Sequence, residues 1–251
     1  MNKFSIQNYS LQYSDGTESL RNISLDIPVN QITMIFGPAG GGKSSLLRVL
    51  NRLNDLADVT HQSGKVLLDE ENILSPKTNV ITLRRKVGMV FARPVVLPFS
   101  IRGNLTYGLE VAGEKNNDLL DLAVETSLQK AALWDEVQDR LDDPAIALSG
   151  GQQQRLCLAR VLALKPEVIL LDEPTSGLDP ISTGKVEESL QDLKKDYTII
   201  LVPHSVQQAA RTADLAAFIL QGDLIEVSSG DTMFTNPTDQ RTRDYIQGRF
   251  G

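Results

Sequence analysis

The chain has 251 residues, 41 % of them apolar, enough to bury one sizeable α/β core with a small inserted unit. Its formal net charge is −7, which excludes a broad nucleic-acid surface, because that affinity comes mainly from neutralising phosphates with Lys and Arg. A nucleotide site stays open, since charges more than ~8 Å away are screened at physiological salt and local groups decide such a contact.

Met1 to Leu11 alternates polar with apolar residues and has no apolar block, so it does not read as a secretory signal. Phe4, Ile6, Leu11 and Tyr13, then Ile23, Leu25 and Ile27, follow the strand period on either side of the polar turn Ser14 to Thr17. That pattern predicts an antiparallel hairpin. Tyr13 ends the first strand and reads as an edge aromatic half-covering the sheet, the alternative being a stacking platform for an adenine ring.

The apolar run Ile32 to Phe36 leads into Gly37-Pro38-Ala39-Gly40-Gly41-Gly42-Lys43-Ser44, which satisfies the spacing G-x-x-x-x-G-K-[ST]. The glycines let successive N–H groups converge on phosphate oxygens. In such a cradle Lys43 reaches the β- and γ-phosphates and the Ser44 hydroxyl ligates Mg²⁺. Leu46, Leu47, Leu50 and Leu53 then share one helical face, so a helix N-terminus carries the anion.

Val66 to Leu68 and Val87 to Phe91 read as strands, with the basic trio Arg84, Arg85 and Lys86 as a solvated face. Pro94 and Pro98 bracket Val95 to Leu97, with Phe99 following. Such a loop cannot join an interior strand, so its apolar residues serve a docking site or pack against neighbouring helices. From Asn117 to Leu148 the pattern is largely helical, which predicts a small helical unit inserted into the core.

Leu148-Ser149-Gly150-Gly151-Gln152 then opens a helix to about Leu164. Ser149 can cap it, and the turn is either a plain N-cap or a second anion site. Cys157, the single cysteine, lies between two leucines in this helix and reads as a small buried residue suited to a reducing cytoplasm. Val168 to Leu171 is the uninterrupted apolar run of a central parallel strand. It ends in Asp172 and Glu173, where ligands bind in open α/β sheets. Asp172 is expected to hold Mg²⁺ and Glu173 to orient the attacking water. A tight turn, Ser176 to Pro180, follows; then Thr198 to Val202 forms another central strand leading to His204, a candidate hydrogen-bond donor to a γ-phosphate. Leu215 to Val227 closes the sheet as a hairpin, and the tail from Asn236 to Gly251 carries little chemistry. No run, Leu215 to Leu220 included, approaches the ~20 apolar residues of a membrane span.

In order and spacing, these motifs resemble those of the ATP-binding subunits of ABC transporters: Walker A (Gly37 to Ser44, then Ser45), LSGGQ (Leu148 to Gln152), Walker B with its glutamate (Val168 to Glu173), D-loop (Ser176 to Asp179) and switch His204. The resemblance implies an α/β P-loop NTPase fold of ABC type, with a mostly parallel core sheet, an N-terminal antiparallel part and an inserted helical subdomain. It implies one ABC ATPase domain over 1–251, with 1–92 and 165–251 as catalytic core and about 93–164 as Q-loop region and signature subdomain. It implies that Tyr13 stacks on adenine. It also implies a homodimer in which Ser149, Gly150, Gly151 and Gln152 close over ATP held by the other copy, with Asp179 nearby. The expected cofactors are ATP and Mg²⁺. The expected partners are two integral membrane permease subunits, contacted through the proline-rich loop, and through them a solute-binding protein; the expected location is the cytoplasmic face of the bacterial membrane. Stretches such as Ala131 to Val137, Gln207 to Arg211 and Asp244 to Gly251 look like the ATPase of bacterial phosphate importers. Phosphate import is therefore the expected reaction, import of another solute the alternative.

One position departs from the family. Where the Q-loop has glutamine the chain has Ala92, and a methyl group cannot ligate Mg²⁺ or hydrogen-bond water. That keeps open an ATP-binding regulatory module with weak hydrolysis.

Overall fold

The predicted hairpin forms as β1 (Asn2–Tyr13) against β2 (Glu18–Pro28), antiparallel, in a computed structural model that describes residues 1–249. After β3 (Ile32–Phe36) and α1 (Lys43–Leu50), the chain returns to β1 through β4 (Val59–Leu68), and β5 (Glu71–Asn72) completes a four-stranded sheet ordered β2-β1-β4-β5. β4 thus starts well before the apolar triplet Val66 to Leu68, and His61 lies exposed on it, opposite Gln12.

Next come α2 (Val80–Lys86), β6 (Val87–Val90), α3 (Ile101–Val111), α4 (Asn117–Lys130), the short α5 (Trp134–Val137) and α6 (Gly150–Ala163). β7 (Val168–Asp172), α7 (Pro180–Leu193), β8 (Thr198–Val202), α8 (Val206–Thr212), β9 (Leu215–Leu220), β10 (Asp223–Ser229), α9 (Gly230–Thr235) and α10 (Gln240–Ile246) follow. The second sheet is ordered β10-β9-β3-β8-β7-β6 and is parallel except for its β9–β10 edge.

The continuous apolar runs follow from burial on both faces. In β7, Ile169 and Leu171 join one core with Leu156 and Leu162 of α6, while Val168 and Leu170 join the other with Leu46, Leu47 and Leu50 of α1. β8 divides likewise, Ile199 and Leu201 against Ile200 and Val202. All five residues of each strand are buried, which fixes their ends as rigid supports.

One expectation is corrected. Arg84 is not a solvated residue: its guanidinium donates to the Asn51 and Arg52 carbonyls at 3.2 and 2.8 Å, satisfying acceptors at the end of α1. The tail, read as carrying little chemistry, has a structural part: Thr242 is fully buried, the Tyr245 ring lies tilted against Phe218 with centroids 5.2 Å apart, and the Glu226 carboxylate accepts from the Thr238 and Asp239 amides. Of the C-terminal stretch Asp244 to Gly251, Phe250 and Gly251 lie outside the described residues.

Candidate nucleotide site

The loop between β3 and α1 depends on glycine for two separate reasons. At Gly37, φ is +145° and a Cβ would sit 2.0 Å from the Ile219 carbonyl oxygen; at Gly42, φ is +100° and a Cβ would meet the Ser19 carbonyl at 2.3 Å. Backbone from β9 and β2 therefore sets the loop's outer wall. Gly40, at φ +72°, has nothing within 4 Å of its Cβ position, so it faces the open side. Pro38 is half-buried, Ala39 exposed and Gly41 buried. Gly41 is hydrogen-bonded back to the Pro38 carbonyl at 3.2 Å.

Lys43 is 9 % exposed, and its Nζ donates to the Pro38 carbonyl at 2.9 Å. Burial holds its pKa below the usual lysine value, with the charges of Glu173 and Asp172 opposing that shift. Ser44 Oγ donates to Asp172 Oδ1 at 3.0 Å, which joins the first turn of α1 to the end of β7. Asp172 is itself buried and pairs in register with Val202. Consequently Glu173 and His204 follow the C-terminal ends of adjacent parallel strands, at the same end of the sheet.

Glu173 stands at φ +48°, a left-handed conformation that is uncommon for a non-glycine residue. It is held there by its own N–H, which donates to the Val202 carbonyl at 2.9 Å, and by its carbonyl, which accepts from Ser176 N at 3.0 Å. Strain of this kind persists where surrounding structure over-determines it, and it concentrates at functional sites. His204 is exposed; its backbone N–H donates to Gln208 Oε1 at 3.0 Å, and Thr175 Oγ1 donates to the same oxygen at 3.2 Å.

Tyr13 and Ser45 are brought together, their hydroxyl oxygens 2.9 Å apart, with Ser19 donating to Ser45 Oγ at 2.8 Å. The Ser45 hydroxyl is thus engaged by β1 and β2. The turn Ser149 to Gln152 stands at the start of α6 in a reciprocal cap: Gln152 N–H donates to Ser149 Oγ and Ser149 N–H to Gln152 Oε1. Among the described residues its bonds run to Glu136 and not to the phosphate loop. Gly151 packs against Ser182, where a Cβ would lie 2.5 Å from the hydroxyl, and Ser182 in turn donates to Asp179, the N-cap of α7.

Three side chains around this site were not read from the sequence: Glu136, which accepts from Arg155, Lys185 and Gln152; Gln154; and Gln208. All three lie in stretches with a phosphate-importer likeness, Gln154 in the one from Leu148 to Cys157. Helical spacing alone gave no reason to single them out.

Among the described residues no three His, Cys, Asp or Glu side chains converge as a cation cage. A hydroxyl and one carboxylate, Ser44 and Asp172, instead match Mg²⁺ held largely by substrate phosphates. A glycine loop joining a buried strand to a helix, with an acid from a neighbouring strand end bonded to its serine, defines an α/β P-loop NTPase fold.

More specifically, the chain belongs to the ABC transporter family, whose model matches residues 20–176. It is 52 % identical over 251 residues, the full length of both chains, to proteins from two strains of Streptococcus pneumoniae described as phosphate import ATP-binding protein PstB 3. Among solved structures it is similar to cbiO1 from Clostridium perfringens, part of the ABC transporter complex cbiONQ (TM-score 0.82, 27 % identity, 99 % of this chain and 96 % of that one). A bacterial Atm1-family ABC exporter with ATP bound shares the fold at TM-score 0.81 and 24 % identity, over 98 % of this chain and 41 % of the exporter chain. The protein is thus an ABC-type ATPase subunit, and among its described residues no helix is long and apolar enough to cross a membrane.

Proposed function

We propose that this chain is the ATP-hydrolysing subunit of a bacterial inorganic phosphate importer. The solute rests on the full-length 52 % identity to phosphate import ATP-binding proteins; the chemistry rests on the 3.0 Å bond between Ser44 and Asp172, which brings loop and acid into one site. Residues 1–92 and 165–251 form the catalytic core in this reading, and about 93–164 the Q-loop and signature unit. Two copies work head to tail at the cytoplasmic face of the membrane, beneath two permease subunits served by a solute-binding protein.

Loop amides from Gly37 to Ser44 and the Lys43 ammonium bind the phosphates of ATP, and Tyr13 stacks on the adenine. Ser44 and Asp172 would hold Mg²⁺, which supplies charge neutralisation to the transferring phosphoryl group. Glu173 orients and polarises the attacking water while His204 hydrogen-bonds the terminal phosphate. Water's oxygen bonds to the γ-phosphorus as the bond to the bridging oxygen breaks. Ser149 to Gln152 of the partner copy closes the site, with Asp179 beside it.

Ala92 favours one second reading, an ATP-binding regulatory module with slow hydrolysis. Both are tested by ATP turnover with Mg²⁺ and by phosphate uptake in the reconstituted complex, with Glu173→Gln and Ala92→Gln in parallel. The motor reading expects wild-type turnover that Glu173→Gln lowers roughly 100-fold with ATP binding retained. Wild type as silent as Glu173→Gln, with turnover restored by Ala92→Gln, supports the regulatory reading. Turnover driving a solute other than phosphate leaves the ATPase and moves only its cargo.

A further inference from the structure

The loop 91–100, which carries Ala92 and two prolines, is held by α6 side chains at two backbone carbonyls. Gln154 Nε2 donates to the Phe91 carbonyl at 2.9 Å. Arg160 Nη2 donates to the Val95 carbonyl at 2.9 Å, and Cys157 Sγ approaches the same oxygen at 3.7 Å. Positions 154, 157 and 160 follow the i, i+3 spacing of one helix face. Arg160 Nη1 also donates to Asn104 Oδ1 at 3.2 Å, and buried Asn104 accepts from Leu97 N at 2.8 Å while donating to the Leu97 and Ser100 carbonyls.

The same helix begins with the capped turn Ser149 to Gln152. Fourteen residues of helix make a strut ~21 Å long, with the anion turn at one end and the loop's clamps along its side. Gln154 is 2 % exposed, and its Oε1 has no hydrogen-bond partner among the described residues. The Nε2 end of this buried amide makes its bond to Phe91, so the grip on the loop is the contact its side chain supplies.

We infer that α6 is the coupling strut of this chain: Gln154 and Arg160 are positioning residues that grip the backbone of loop 91–100 and pass its displacement to the signature turn, with no side chain required at position 92. The inference rests on the ABC motor reading above, but not on phosphate as the cargo. It accounts for an alanine where the family has glutamine, since the grip is on carbonyls that every residue type supplies.

The test uses the full chain with Gln154→Leu, Arg160→Met and the double variant, in three measurements. Affinity for the ATP analogue AMP-PNP is measured first. Next comes amide hydrogen exchange of loop 91–100 with and without AMP-PNP at concentrations that dimerise the wild type. The third is ATP turnover of the isolated chain and of the permease complex. Expected are AMP-PNP affinity and isolated turnover within roughly twofold of wild type, while nucleotide-dependent protection of the loop and permease stimulation each fall roughly fivefold or more. Stimulation that survives in the double variant overturns the strut, as does loss of affinity in proportion to loss of protection. Wild type that neither binds AMP-PNP nor hydrolyses ATP sinks the motor reading itself; wild type that binds without any change in loop exchange sinks the strut alone.

Discussion

Arg155 meets Glu136 with both arms of its guanidinium, Nη1 to Oε1 at 2.9 Å and Nη2 to Oε2 at 3.0 Å, and so locks α6 to α5 beneath the signature turn. Lys185 of α7 and Gln152 Nε2 donate to the same carboxylate. Arg155 is 3 % exposed, so an unpaired guanidinium there has little access to water. Removing one partner of a buried pair costs about 3 kcal/mol or more. Glu136→Gln should therefore lower the melting temperature by roughly 6–12 °C at pH 7.

The same carboxylate gives a pH signature. Hydrogen bonding from Arg155 first, then from Lys185 and Gln152, brings the Glu136 pKa down to about 2, against burial, which opposes the shift. A depressed folded pKa means stabilisation that is complete above the unfolded value near 4.5 and lost as pH falls towards 2. The gap in melting temperature between wild type and Glu136→Gln should be constant from pH 6 to 8 and narrow below pH 5. A gap that widens in acid would contradict the assignment.

Gly37 and Gly40 separate folding from ligand approach. At Gly37 a methyl group would strike the Ile219 backbone at 2.0 Å, whereas at Gly40 it would meet nothing within 4 Å and carry only left-handed strain, about 1–2 kcal/mol. Gly37→Ala should lower the melting temperature by well over twice the shift given by Gly40→Ala. Gly40→Ala should instead weaken ATP binding, read by titration calorimetry, because its methyl group projects into the open side of the loop, where the proposed site takes the phosphates.

How far the sequence was legible depends on how local each cause is. Val168 to Leu171 and Thr198 to Val202 read as central strands because burial on both faces leaves no polar position to interrupt them. The phosphate loop was legible because its glycine spacing encodes backbone geometry. Contacts that join distant segments left no such trace. Glu136 finds Arg155 19 residues on and Lys185 49 residues on, and nothing in the charge pattern between them announces the pairing. Arg84 looked solvated because its partners are backbone carbonyls, which carry no side-chain signature. The packing of Tyr245 against Phe36 and Phe218 was not legible because it is set by β3 and β9, far away in the chain.

The bond from Ser44 to Asp172 predicts a metal-specific defect. If Ser44 and Asp172 are a paired donor set, Ser44→Ala removes one oxygen without disturbing the loop amides or Lys43. Nucleotide binding in the presence of EDTA should stay within roughly threefold of wild type, while the Mg²⁺ concentration giving half-maximal turnover rises roughly tenfold or more. Equal losses with and without Mg²⁺ would assign Ser44 to the phosphate cradle alone.

Gln208 adds a side-chain tie between the ends of β7 and β8, beside the backbone bond from Glu173 N–H to the Val202 carbonyl. It is 3 % exposed, and its Oε1 accepts from the His204 N–H and from Thr175 Oγ1, two residues after Glu173. Leucine would fill the space but leave both donors unpaired, at ~1–3 kcal/mol for each buried one. Glutamate would keep an acceptor in the same place. Gln208→Leu should therefore reduce kcat roughly tenfold with little change in ATP affinity, because His204 and the turn after Glu173 lose their common anchor while Lys43 and the loop amides are untouched. Gln208→Glu should recover most of that loss at neutral pH. If both variants lose kcat equally while their melting temperatures stay at the wild-type value, the shared acceptor is not what aligns His204 with Glu173.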